Sequence, residues 1–168
     1  SSDVCSSDLV IFGLGPIGLL IVEALRAAGA SKIYAVELSP ERQAKAEELG
    51  AIVVRPEEGE TVVEAIHRLT GGGADVSYEV TGVPVVLGQA LAAVHKAGEC
   101  MVVSIWEREA SINPNEFAIQ EKSLKGIIAY RHIFPKVLEL MEQGYFPADK
   151  LVTKKIKLEN IVEEGFVE

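Results

Sequence analysis

Cysteine is scarce: Cys5 and Cys100 are the only two in 168 residues, and they show no Cys-x-x-Cys spacing. Neither a disulfide framework nor a structural zinc site can be built from them, and a reducing, cytoplasmic setting is the expectation. Long apolar runs are missing too. None reaches the roughly 18 residues a membrane span requires. Residues 1–9 lack the basic start and apolar stretch of a signal peptide. Positive charge is short: 16 Lys and Arg face 25 Asp and Glu, for a formal net charge of −9. The single basic cluster is Lys154-Lys155 with Lys157. Nucleic acid and anionic membrane surfaces are therefore not expected partners. There is no nucleophile elbow, no P-loop lysine motif and no His-Glu-x-x-His, so hydrolase and NTP-hydrolysis readings have no residues behind them.

What remains is ordinary globular material, 48 % apolar and 24 % charged, enough for one core. Residues 1–9 read Ser-Ser-Asp-Val-Cys-Ser-Ser-Asp-Leu, with Ser-Ser-Asp occurring twice. The stretch resembles translated sequencing-adapter sequence, or is simply a polar tail. Residues 1–8 are set aside as a polar leader of non-native origin. On this reading the chain is expected to begin almost inside a buried strand, with no room for a preceding domain.

Strand and helix signals alternate from there. Strands are expected at Leu9–Phe12, Lys32–Glu37, Ala51–Val54, Asp75–Val80, Cys100–Ile105 and Leu124–Tyr130. Helices are expected at Pro16–Ala28, from the Ser39-Pro40 start to Gly50, and at Glu57–Thr70, Pro84–His95, Phe134–Gln143 and Glu159–Val167. Apolar strands separated by amphipathic helices imply an α/β Rossmann-type fold, a doubly wound parallel six-stranded sheet with helices on both faces. The expected division is a dinucleotide-binding domain over 9–150 and a return segment over 151–168.

Gly13-Leu14-Gly15-Pro16-Ile17-Gly18 matches Gly-x-Gly-x-x-Gly between a strand and a helix, the context that gives the motif meaning. Gly13 permits the tight turn, Gly15 lets a pyrophosphate approach the backbone, and Gly18 lets the helix pack on the sheet. The helix N-terminus supplies N–H donors, and Pro16 suits its first turn. Glu37 lies 19 residues after Gly18, where an acid accepts from ribose hydroxyls and repels a 2′-phosphate. Arg42, in the next helix, is a weaker signal toward a phosphorylated ribose. NAD is thus the expected coenzyme.

Thr81 follows the fourth strand and is either a ligand contact or a helix cap. Ile105 and Trp106 follow the fifth. Trp106 is either a pocket wall or a packed aromatic. His67, His95 and His132 share no metal-ligand spacing; His67 and His95 read as surface residues, and His132 is the one near a ligand end. Glu57-Glu58-Gly59-Glu60 reads as a solvated helix start.

Several stretches resemble the zinc-dependent medium-chain alcohol dehydrogenases. They are Val10–Leu20, Gly29-Ala30-Ser31-Lys32 with Glu37, Glu48–Ala51, and above all Leu69–Gly82. Within the family the resemblance is to the polyol type, which includes butanediol and sorbitol dehydrogenases, and Ile105-Trp106-Glu107 and Ile128-Ala129-Tyr130-Arg131 resemble the butanediol branch. The resemblance covers residues 9–168. It implies that Gly13, Leu14, Gly15, Pro16, Ile17 and Gly18 cradle the pyrophosphate of NAD. It implies that Glu37 and Arg42 hold the adenosine ribose. Thr81, Ile105 and Trp106 would border the nicotinamide, and Tyr130 and Arg131 would lie toward a substrate pocket. Full enzymes of the family oxidise a secondary alcohol at a catalytic zinc held by another domain. No position here matches those ligands, so this chain alone is expected to bind coenzyme, to be inactive, and to hold no metal.

An NAD-sensing regulatory module and an S-adenosylmethionine-dependent methyltransferase domain are the alternatives. The first fits the tail from Phe134 poorly, and the second is expected to end on a reversed antiparallel strand. The expected sheet order, 3-2-1-4-5-6, leaves the 124–130 strand at an edge with a single lysine to protect it. A homodimer paired across that edge is the expectation.

Overall fold

The computed structural model describes residues 7–167; the leader apart from Ser7 and Asp8 lies outside that range, as does Cys5. Six strands form one sheet: β1 (Asp8–Phe12), β2 (Lys32–Val36), β3 (Ile52–Val53), β4 (Ala74–Glu79), β5 (Val94–Val102) and β6 (Ser123–Gly126). Their order is β3-β2-β1-β4-β5-β6 and every pairing is parallel. This is the expected doubly wound order, and no strand reverses as the methyltransferase alternative requires. The crossover helices are α1 (Pro16–Ala27), α2 (Pro40–Glu48), α3 (Val62–Thr70) and α4 (Pro84–Ala93). A single turn, α5 (Asn115–Ala118), leads into β6, and α6 (Phe134–Glu142) and α7 (Ala148–Leu151) follow it. A 3-10 turn at Leu158–Asn160 and a π-helical stretch at Val162–Phe166 stand where one helix was expected.

Two apolar clusters cover the two faces of the sheet. Val10, Phe12, Tyr34, Ile66, Leu91 and Cys100 belong to one. Ile11, Leu14, Val22, Ile33 and Leu49 belong to the other. The alternation of Val10 and Phe12 against Ile11 follows from the period-2 pleat, so one strand feeds both clusters. Cys100 is fully buried on β5, and burial pushes its thiol up to about 11 against the hydrogen bond from Ser77. α7 straddles the expected boundary at 150/151, and Leu151 packs against the second cluster. Asp8, assigned by the sequence to the leader, is the first residue of β1, and its N–H donates to Asp75 Oδ2 at 2.7 Å.

Several element boundaries depart from expectation, among them the end of β5, at Val102 rather than Ile105. The Glu57–Glu60 run is a turn rather than a helix start: Gly59 has φ +80°, and a capping box between Thr61 and Glu64 opens α3 at Val62. Glu60 pairs instead with Arg68, Nε to Oε1 at 2.8 Å. The fourth helix stops at Ala93 because Val94 already pairs with Ala74 in β5. Ala97 (φ +63°) and Gly98 then make a kink before regular pairing resumes at Glu99. β6 ends at Gly126, opposite Val102, where β5 also ends. Ile127 donates one last bond to Val102 O at 3.1 Å, and Ala129 (φ +54°) turns the chain out of the extended form. His67 is half-buried, not a surface residue, because its Nε2 bonds Ala92 O at 2.9 Å across α3 and α4. Among the described residues, no helix is long and apolar enough to cross a membrane.

Candidate coenzyme site

The carboxyl ends of β1, β2 and β4 meet at the point where strand order reverses. β1 runs into Gly13 (φ +96°), whose N–H donates to Val36 O at 2.9 Å. A Cβ on Gly13 would lie 2.7 Å from Thr81 Cγ2, and one on Gly18 only 2.0 Å from Gly13 O. These two glycines are therefore required by contacts within the protein. Gly15 differs: a Cβ there would meet nothing within 4 Å. The space above Gly15 is open, and Gly15, the N-cap of α1, offers no side chain to cap the helix. Helix geometry leaves the first N–H groups without intrahelical acceptors, and their partial positive charge favours an anion. The loop thus fits a pyrophosphate on its own geometry.

Glu37 follows β2 and turns its carboxylate back over this loop. Oε2 accepts from Leu14 N–H at 2.9 Å, and Oε1 accepts from Leu38 and Ser39 N–H at 2.7 and 3.0 Å. Arg42 Nη1 lies 3.7 Å from Oε2. Burial works to raise the Glu37 pKa, but the three N–H donors and the guanidinium outweigh it and hold the carboxyl below its usual range. The group is therefore an anion at neutral pH. Oε2 accepts a single hydrogen bond and keeps capacity for another, such as one from a ribose hydroxyl. Ser39 caps α2, its side chain accepting from Arg42 N–H, as the sequence implied.

A cavity of about 540 Å³ lies between these parts, bordered by Gly13, Gly15, Glu37, Arg42, Thr81 and Val86. A second, of about 380 Å³, continues past Thr81 and Gly82 to Ile105, Glu107 and Arg108. Pro16, Leu14 and Arg42 also border a third cavity beneath the loop. Ile17, in the first turn of α1, is half-exposed. Thr81 does not cap α4, whose N-cap is Val83; its hydroxyl donates to Glu79 Oε1 at 2.5 Å and accepts from Val83 N–H. Ile105 is 85 % exposed at the rim of the second cavity. Trp106 resolves as a packed aromatic, half-buried against the Val10–Phe12 cluster. Tyr130 stacks on Phe134 with ring centroids 5.3 Å apart, and neither it nor Arg131 borders these cavities. His132 is exposed beyond β6.

Sequence reasoning passed over Glu79, and it placed Ser104 only within the Ser104-Ile105-Trp106 loop expected to face the nicotinamide half. Both sit at the strand ends, and Glu79 is fully buried. A signal existed: Asp75, Ser77 and Glu79 alternate with Val76, Tyr78 and Val80. In a sheet covered on both faces, such a polar row is buried and must find hydrogen-bond partners. Among the described residues, no three His, Cys, Asp or Glu side chains cluster as metal ligands.

Residues 16–143 match a family model described as zinc-binding dehydrogenase. A (R,R)-butanediol dehydrogenase of Bacillus subtilis is 64 % identical over 93 % of this chain, and a sorbitol dehydrogenase of the same organism is 33 % identical over 91 %. A crystal structure of 2R,3R-butanediol dehydrogenase from Bacillus subtilis superposes with a TM-score of 0.92 at 61 % identity, covering 99 % of this chain. That coverage is 48 % of the solved chain and 45 % of the first relative, so this chain spans about half the length of the proteins it matches. On the family model over residues 16–143 and the 64 % identity over most of its length, the chain belongs to the zinc-binding dehydrogenase family.

Proposed function

We propose that this chain is the coenzyme-binding portion of an NAD-dependent secondary-alcohol or polyol dehydrogenase. The observation that carries the reading is the Glu37 carboxylate, held ionised beside the open N-terminus of α1. In this reading the N–H groups of α1 and of the loop at Gly15 bind the pyrophosphate. Glu37 accepts from the adenosine ribose, with Arg42 orienting the carboxylate. Leu14 and Pro16 shape the loop, Ile17 flanks the phosphates, and Thr81 and Ile105 border the nicotinamide half. NAD supplies the hydride acceptor when bound. Positions after β4 and β5 exclude water from one side of the ring. The name of the butanediol dehydrogenase relative supports a vicinal diol or related secondary alcohol as the substrate class. Metal-assisted steps belong to residues outside this chain, and the chain alone binds coenzyme without oxidising alcohols.

The test is a titration with both reduced coenzymes, read by their fluorescence. NADH is expected to bind at least about tenfold more tightly than NADPH, a gap of about 1.4 kcal/mol that one like-charge contact supplies. Equal or tighter NADPH binding overturns the coenzyme assignment.

The same reading includes a homodimer joined at the β6 edge, in a cytoplasmic protein. Ile127 and Ile128 stand 52 % and 82 % exposed beyond that strand. Uncovered strand edges are sites of pairing. Light scattering at micromolar concentration is expected to give a dimer. A wild-type chain that stays monomeric across a hundredfold concentration range removes the interface.

A further inference from the structure

Glu79 ends β4, the strand between β1 and β5, and its side chain is fully removed from solvent. Four donors converge on its carboxylate. Oε1 accepts from Thr81 N–H at 2.8 Å, Thr81 Oγ–H at 2.5 Å and Gly82 N–H at 3.0 Å. Oε2 accepts from the hydroxyl of Ser104. The first three belong to the loop leaving β4 and the last to the loop leaving β5. The backbone carbonyl of Glu79 reinforces the second link, accepting from Val103 and Ser104 N–H at 2.9 and 3.3 Å.

The tied loops have little freedom to settle elsewhere. Thr81 Cγ2 occupies the space that a Cβ on Gly13 would need. Gly82 (φ +70°) sits so close to Ile105 that an added Cβ would lie 3.0 Å from Ile105 O. A shift of the β4 loop therefore presses either on the phosphate loop or on the wall of the second cavity. Both cavities at the strand ends share Thr81 as a common border.

We propose that Glu79 is a positioning residue of the coenzyme site: its buried carboxylate fastens the β4 and β5 exit loops together and so fixes the wall shared by the two cavities. The proposal rests on the coenzyme reading of the cleft. The chemistry explains why an acid stands in an apolar strand. A carboxylate only accepts, and this one takes three donors on Oε1 and the Ser104 hydroxyl on Oε2, with Gly82 N–H also reaching Oε2 at 3.4 Å. Removing the acceptor takes from the N–H groups of Thr81 and Gly82 the partner that holds them inward, and because both residues border solvent the loop is free to turn toward water.

The decisive variants separate hydrogen bonding from packing. Glu79→Leu fills the space but accepts nothing. Glu79→Gln keeps one oxygen for Thr81 and Gly82, and its amide donates to Ser104 Oγ, whose hydroxyl can rotate. Hydrogen exchange by NMR on the 168-residue chain reads the loop without any ligand. In Glu79→Leu the Thr81 and Gly82 amides are expected to lose at least tenfold in protection while the β1 and β2 amides keep theirs. Glu79→Gln is expected to stay within threefold of wild type. NADH affinity should follow the same order, with at least a tenfold loss for Leu. If Glu79→Leu fails to fold, Ser104→Ala removes the side-chain link to the β5 loop while leaving the backbone bonds to Glu79 O, and is expected to shift the emission of Trp106, two residues further on. Leu protecting the loop as well as wild type, or Gln losing as much as Leu, overturns the proposal, as does an unchanged Trp106 signal in Ser104→Ala. A wild-type chain that binds no NADH refutes the coenzyme reading alone, since the exchange data still judge Glu79.

Discussion

The molecule divides at Cys100. Among the described residues, every buried one lies at or before that position, and none after it falls in the buried class. The first part is strand and helix in strict alternation, each apolar stripe facing a partner. The second carries apolar residues at helical spacing with little to cover them: Phe134, Leu138 and Met141 of α6 are 61 %, 58 % and 46 % exposed. Apolar periodicity alone therefore specifies an element, whereas burial needs a second surface at the right distance. The phosphate loop and its acid sit wholly in the first part, where backbone positions are fixed by contacts on both sides.

That contrast can be broken by mutation. The largest effect is expected from Gly18→Ala, because its Cβ would lie 2.0 Å from the Gly13 carbonyl oxygen. A collision with backbone cannot be relieved by a rotamer change, so the cost is expected to exceed about 3 kcal/mol, with coenzyme binding lost. Urea unfolding checks it; a variant of near wild-type stability would mean that the loop relaxes. Next come paired truncations. Ile66→Ala, fully buried on α3, is expected to cost about 2–5 kcal/mol, and Leu138→Ala under about 0.5 kcal/mol. Similar losses at both sites would erase the distinction between the two parts.

The smallest effect is electrostatic. His95 Nε2 lies 3.0 Å from Asp75 Oδ1, and that hydrogen bond, with a second to Lys96 O, raises the His95 pKa. At Asp75 burial pushes the pKa up, but His95 and the Asp8 N–H outweigh it and lower it. A raised histidine stabilises the fold fully below its unfolded value of about 6.5, and the gain fades as pH rises through the higher native value. A lowered carboxyl contributes above about 3.9 and fades as pH falls through its native value. The pair therefore acts most strongly between these limits. His95 is 41 % exposed, so solvent screening keeps the contribution under about 1 kcal/mol. Thermal melts of His95→Gln against wild type should differ most near pH 5–6 and converge at alkaline pH. A gap that widens with pH would contradict the assignment.

Much of this was legible in the sequence. Strand order followed from apolar strands alternating with helices, and the Gly13–Gly18 loop with Glu37 followed from spacing. What was not legible depended on partners distant in the chain. β6 stops at Gly126 because β5 stops opposite it, which no local pattern at Ile127–Tyr130 encodes. His95 leaves the helix because Ala74 recruits Val94 into the sheet. Glu79 was read only as part of an apolar strand, and the contacts around it emerge only when Thr81, Gly82 and Ser104 close on its carboxylate.

Cys100 gives the fold a timekeeper. With its thiol raised to about 11, only on the order of a thousandth would be thiolate at pH 8, and burial shields even that fraction. An alkylating reagent reaches the sulfur only when β5 parts from its neighbours. In a Cys5→Ser background, labelling at Cys100 would count those partings one by one. Coenzyme bound at the far ends of β1 and β4 would slow the count without touching the sulfur, so occupancy of the site could be read from a residue in the middle of the sheet.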